Sequence, residues 1–168
     1  YALFGASPAV FATTLLASDM GGYSLAMSLA GSDQAIGNFA GLIVGTTMGG
    51  IILFDIPVAL SIVPKKDRSI LACGILCGLV TVPLGCLTGG LAMGLTPYSL
   101  NLLALIQNII PVTIIAVLIA IGLWFKPEAM MNGFDKFGAV VTAVITVCTV
   151  VAVFQYQTGI RFPLAEIM

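Results

Sequence analysis

Residues 69–125, SILACGILCGLVTVPLGCLTGGLAMGLTPYSLNLLALIQNIIPVTIIAVLIAIGLWF, contain no Asp, Glu, Lys or Arg. A bilayer crossing takes about 20 apolar residues, so this stretch alone accommodates two helical crossings. Residues 34–54 and 137–160 are equally free of charge, and each supplies one more. The whole chain is 60% apolar and 8% charged and has no histidine; its mean hydropathy is +1.15. A soluble domain carries about a quarter charged residues, so this composition belongs in lipid. The fold class that follows is all-α: a polytopic transmembrane helical bundle with glycine-rich packing faces and broken or kinked helices, forming a single membrane domain over 1–168.

Five hydrophobic segments emerge, near 8–30, 36–63, 69–93, 98–125 and 137–156. The first is broken near Gly21-Gly22. Asp55-Ile56-Pro57 interrupts the second, Pro83 falls within the third, and Asn108 and Pro111 fall within the fourth. The connections GSDQ, PKKDR, GLTP and KPEAMMNGFDK are short and polar and leave no room for a soluble domain. If segments two to five all cross, the loops 64–68 and 126–136 share one face. They hold Lys65, Lys66, Arg68, Lys126 and Lys136, all but one of the 6 basic residues, with Arg161 opposite. The positive-inside rule makes that face cytoplasmic. The chain starts at Tyr1 without Met and without a signal-peptide pattern, and reads as an internal piece of a longer protein.

Glycines at 37, 41, 45 and 49 recur every fourth residue and lie along one helix face; Gly74/Gly78, Gly85/Gly89 and Gly90/Gly94 repeat the spacing. Helices in lipid gain no hydrophobic drive from each other, so close backbone approach is a main source of packing energy. The plain expectation is tight packing within one bundle. A sliding surface or a homo-oligomer contact through the same faces is the alternative. Cys73, Cys77, Cys86 and Cys148 read as unpaired packing residues, and with no histidine a metal site or other cofactor is not expected. A net charge of −1 without a basic patch excludes nucleic acid as a partner. A hydrolase is disfavoured by the lack of a histidine base and a GxSxG turn, so no catalytic residue is assigned.

The polar groups inside the apolar segments carry the functional expectation. Asp19 ends an oily run and is followed within three residues by Gly21 and Gly22. A carboxylate at mid-membrane is costly, about 2.5–3.5 kcal/mol by insertion scales, and generally has a role. A helix broken at the glycines would expose backbone groups of the kind transporters use to hold substrates, and Tyr23 adds a hydroxyl or an aromatic face for a cation. The competing reading ends the helix at the glycines and leaves Asp19 at the water interface. Asp55, just before Ile56-Pro57, is either a second polar site at a helix interruption or a residue near the cytoplasmic interface. Gln107-Asn108 with Pro111 makes a third site, where Asn108 serves an interhelical hydrogen bond or touches substrate.

The strings LLASDMGGYSLAMSLAG, FDIPVALSIVPKKDRS, GLVTVPLGCLTGGL, NIIPVTIIAVLIAIGL and KPEAMMNGFDKF follow in order across about residues 8–145. Together they resemble the corresponding parts of the ethanolamine utilization transporter family, the EutH-type permeases, as a middle portion of a longer member. The resemblance implies a bacterial cytoplasmic-membrane permease that admits ethanolamine. An ammonium substrate suits a carboxylate counter-ion, which points to Asp19, with Gly21, Gly22, Tyr23 and Asn108 beside it. Asp55 is weaker as a shared substrate residue, since a small polar residue can stand there in the family. The alternatives are a permease or channel for another small amine or polar metabolite, and a non-transporting membrane scaffold subunit.

Overall fold

The computed structural model describes residues 5–158, and Arg161 lies outside them. Its regular structure is helical throughout. Two short helices, α1 (Pro8–Thr13) and α2 (Gly22–Ala30), come first. Four long ones follow: α3 (Gln34–Ile62), α4 (Arg68–Ala92), α5 (Leu102–Phe125) and α6 (Pro127–Thr158). These four match sequence segments two to five, and each is long and apolar enough to span a bilayer. Side-chain caps set two of their starts: Asp33 accepts from the Ile36 amide at 3.1 Å, and Asn101 accepts from the Ala104 amide at 2.7 Å. Both prolines expected to kink the chain, Pro83 and Pro111, sit inside helices that continue past them.

The first segment is different: it does not span. α1 begins beside α5, where the Ser7 amide donates to Asn108 Oδ1 at 2.8 Å. It runs to Thr13, which lies against Gly49 of α3. The chain then leaves the helical path, makes a 3₁₀ turn at Ser18–Met20, and restarts as α2. α2 returns antiparallel to α3, passing Gly41 at Tyr23 and Ala26 and reaching Gly37 at Met27 and Ala30. Residues 8–30 are thus a helical hairpin that goes in and comes back on one side, with its tip at the middle of α3. Its last carbonyls are satisfied locally, since the Thr14 amide and hydroxyl donate to the Val10 and Phe11 carbonyls at 2.9 and 2.6 Å and the Leu16 amide donates to the Ala12 carbonyl at 3.0 Å.

The glycine face of α3 is the seat of this hairpin. A Cβ at Gly37 would come within 2.6 Å of Met27 Sδ, and one at Gly41 within 2.6 Å of the Tyr23 ring. At Gly49 it would collide with the Leu16 carbonyl oxygen, a backbone atom that cannot rotate away. In α4, by contrast, Gly74, Gly78 and Gly85 face open space. Tight packing within the bundle therefore accounts for the α3 stripe, while Gly89 and Gly90 take up Ile43 and Leu105. Of the cysteines, only Cys86 is buried; Cys73 and Cys77 are exposed on α4, Cys148 is half-buried, and all four are unbridged.

Asp55-Ile56-Pro57 does not interrupt α3 as the sequence suggests. Phe39–Gly49 and Ile51–Asp55 are wound as π-helix, with the Gly50 amide bonding Gly45 O and the Ile56 amide bonding Ile51 O, five residues back. Regular α winding resumes at Ile56, one residue before Pro57. A proline clashes with the carbonyl four residues before it in an α-helix. The wide turn places that carbonyl elsewhere, so the helix passes the proline intact.

Gly49→Ala in the full-length protein should lower thermal stability in detergent by more than about 1 kcal/mol, because an inserted methyl meets backbone on a packed face. Gly78→Ala, in open space on a helix, should be neutral or slightly stabilising. Equal melting behaviour of the two variants would remove the glycine seat.

Candidate functional site

Residues 14–21 make the hairpin tip, and each glycine of SDMGGY has a separate task there. Gly21 has φ +89°, a left-handed conformation that lets the chain turn sharply before α2. Gly22 lies so close to the incoming strand of chain that a Cβ would sit 2.5 Å from Ala17 O. The Ala17 carbonyl accepts from both the Met20 and Gly22 amides, at 3.1 and 3.0 Å, and ties the turn together. Ser18 and Asp19, in the 3₁₀ turn, are left projecting beside α3.

They project into a cavity of about 420 Å³ lined by Ser18, Asp19, Gly45, Thr46, Gly50, Phe54 and Asp55. Two of the sequence candidates, Asp19 and Asp55, thus share one concave surface, both with exposed side chains. Its depth follows from α3. A helix of 29 residues measures roughly 40 Å, and the hydrocarbon core is about 30 Å thick. Gly45–Gly50 fall in the middle third of α3, so Asp19 is level with the middle of that helix and Asp55 lies about one turn or two nearer the 64–68 end. The cavity offers two carboxylates and the hydroxyls of Ser18 and Thr46, a set suited to a small cation that also carries a hydrogen-bonding group. A larger groove of about 560 Å³ between α4 and α5 is lined by Pro83, Ile106, Ile110 and other apolar residues, with Thr113 its single polar group. It has nothing to hold a charge.

Tyr23 and Asn108 are in other places. Tyr23 lies on α2 with its ring against Gly41, and its hydroxyl donates to Asn38 Oδ1 at 3.1 Å; Asn38 Nδ2 in turn donates to the Gln34 carbonyl at 2.8 Å. Asn108 is 2% exposed. Its Oδ1 accepts from Ser7, and its Nδ2 donates to the Ala104 carbonyl at 2.8 Å. Neither lines the Asp19 cavity; one pins the returning arm of the hairpin and the other pins its root.

Thr46, Ser18 and Gly50 were not singled out from sequence, and Gly45 only as part of a packing face. The reason is winding. At 3.6 residues per turn, Thr46 and Asp55 are about 2.5 turns apart and on opposite faces. With bonds spanning five residues the same interval is roughly two turns, and both face the cavity. Among the described residues no cluster of three His, Cys, Asp or Glu is placed to hold a metal ion.

Over residues 1–167 the chain matches the family described as "Ethanolamine utilisation protein, EutH", and it belongs to that family. It is 49% identical over 160 residues to the "Probable ethanolamine permease EutH" of Listeria monocytogenes serotype 1/2a (strain 10403S), covering 95% of this chain and 41% of that protein. The protein of the same name from Salmonella typhimurium is 46% identical over 166 residues, with the same coverage. The "Uncharacterized protein YxeR" of Bacillus subtilis (strain 168) is 41% identical over 160 residues, which is 42% of its length. The chain thus spans about two fifths of the length of the curated relatives it matches. No solved structure matches it significantly.

Asn108→Ala removes the acceptor of the Ser7 amide inside the bundle. Leaving that buried donor unpaired should cost about 1–3 kcal/mol, read as a lower melting temperature of the full-length protein. Tyr23→Phe, which removes one bond from a partly exposed hydroxyl, should cost less. An unchanged melting temperature for Asn108→Ala would show that the hairpin root is held by other contacts.

Proposed function

We propose that this chain is the part of a EutH-type permease that carries the site for ethanolamine, with Asp19 as counter-ion to the ammonium group. The observation that carries the proposal is the convergence of Asp19 and Asp55 on one cavity at the tip of a hairpin level with the middle of α3. Discontinuous helices at that depth are where transporters bind their substrates. Ethanolamine is protonated near neutral pH and ends in a hydroxyl. Asp19 meets its charge, Asp55 adds to the negative field from the side of α3, and Ser18 or Thr46 pairs with the hydroxyl. Gly21 and Gly22 shape the tip, while Tyr23 and Asn108 hold the hairpin in place and act on the substrate through it. The protein is placed in the bacterial cytoplasmic membrane, with loops 64–68 and 126–136 on the cytoplasmic side by their basic residues. No enzymatic step is part of this reading.

Uptake of labelled ethanolamine by cells expressing the full-length protein tests it, at mildly acidic pH where little neutral amine leaks through lipid. Wild-type uptake should saturate. Asp19→Asn should lower it at least roughly tenfold at equal membrane abundance, as expected for loss of a charge-assisted contact. Normal uptake by Asp19→Asn would overturn the site. Stronger competition by another small amine than by unlabelled ethanolamine would change the cargo, non-saturating flux would make the protein a channel, and no uptake with no ligand-induced stabilisation would favour a scaffold.

A further inference from the structure

PKKDRS and KPEAMMNGFDKF, far apart in the sequence, come together at one end of the bundle. They form a cleft of about 300 Å³ whose polar lining is Lys65, Arg68, Ser69, Glu128, Asn132 and Asp135. Arg68 donates from Nη2 to the Leu60 carbonyl at 2.9 Å, which fixes its guanidinium over the last turn of α3. Its Nε is shielded from solvent and has no partner, and the same holds for Asp135 Oδ1. Two cations and two carboxylates therefore line one cleft, and no ion pair joins them among the described residues. A buried polar atom left unpaired is costly, and a half-satisfied network of opposite charges is worse than none. Those two atoms are out of a ligand's reach, but Nη1 of Arg68 and Oδ2 of Asp135 are not among the shielded atoms and carry no hydrogen bond either, so the cleft fits an occupant that brings an acceptor to one and a donor to the other.

The position narrows the chemistry. α3 ends at Ile62, α4 starts at Arg68, α5 ends at Phe125, and the uncharged part of α6 starts at Phe137. The cleft is level with these helix ends, where lipid headgroups lie. An arginine fork with a lysine and a serine hydroxyl suits phosphate oxygens. Two carboxylates suit a primary ammonium with N–H donors. A quaternary ammonium has no such donors and is held by aromatic faces, and the cleft has no aromatic residue in its lining. We infer that this cleft binds a phosphoethanolamine-type zwitterion, with its phosphate at Arg68 and Lys65 and its ammonium at Asp135 and Glu128. This site is separate from the Asp19 cavity and does not depend on what that cavity transports.

The test is thermal unfolding of the full-length protein in vesicles of phosphatidylcholine alone, or with phosphatidylethanolamine or phosphatidylglycerol added. Phosphatidylethanolamine should raise the midpoint by several degrees over the other two. Arg68→Gln and Asp135→Asn should each abolish the increment, and the exposed Lys65→Gln should reduce it if either of those fails to fold. Soluble phosphoethanolamine added to the phosphatidylcholine sample separates the sources: stabilisation there that outcompetes the lipid effect assigns the cleft to a free phosphoester. Equal stabilisation by phosphatidylglycerol would overturn the ammonium half of the site. Identical midpoints in every lipid and with the soluble ester would overturn the site altogether, as would an Arg68–Asp135 coupling in a double-mutant cycle that no lipid alters.

Discussion

The contact between the bare backbone of α3 and the hairpin laid on it is the constraint from which the remaining architecture follows. At Gly37, Gly41 and Gly49 the neighbouring chain stands where a side chain would begin. In lipid there is no gain from hiding apolar surface, so helices hold together by proximity and hydrogen bonds. Four glycines on one face bring the hairpin close enough for both. That closeness allows a non-helical tip at membrane depth, because irregular backbone is tolerated there only against protein or a water-filled space. Take the stripe away and the tip, its carboxylate and the cavity beside it lose their support together.

The membrane class and the spans were readable because hydropathy and charge report them directly. Residues 34–54, 69–125 and 137–160 have no charge, and the structure puts long helices there. The glycine stripe was readable as a packing face and the break at Gly21-Gly22 as a break. The return of residues 8–30 to the side they came from was not: an apolar run of that length looks the same whether it crosses or doubles back. Nor could Asp19 and Asp55 be brought together from sequence. One lies on the hairpin and the other on a helix whose winding departs from 3.6 residues per turn, so periodicity set Thr46 and Asp55 on opposite faces. Asn108 was read as serving an interhelical hydrogen bond or touching substrate; its partner in the structure, the Ser7 amide, lies 101 residues away and could not be named from sequence.

Very little of α6 is covered by the rest of the chain. Only 6% of the apolar window of α6 is buried within this chain, against about a third for α3 and α5. The relatives are more than twice as long as the matched region. The side of the chain bearing Asp19 and Asp55 opens outward, where a carboxylate in contact with lipid would cost several kcal/mol. Both facts place the bulk of the packing along one side of α3, with the charged cavity on a surface that demands cover or water.

The hairpin also bears on biosynthesis. Helices that enter the bilayer one by one, and associate afterwards, must each be long enough to span and must satisfy their own peptide groups. α1 has 6 residues and α2 has 9, and the peptide groups between them rely on α3 for shelter. Residues 8–30 therefore rest, in the folded state, on a segment made after them. The ribosome delivers the hairpin before α3, so the wall the hairpin rests on in the folded protein is made after it.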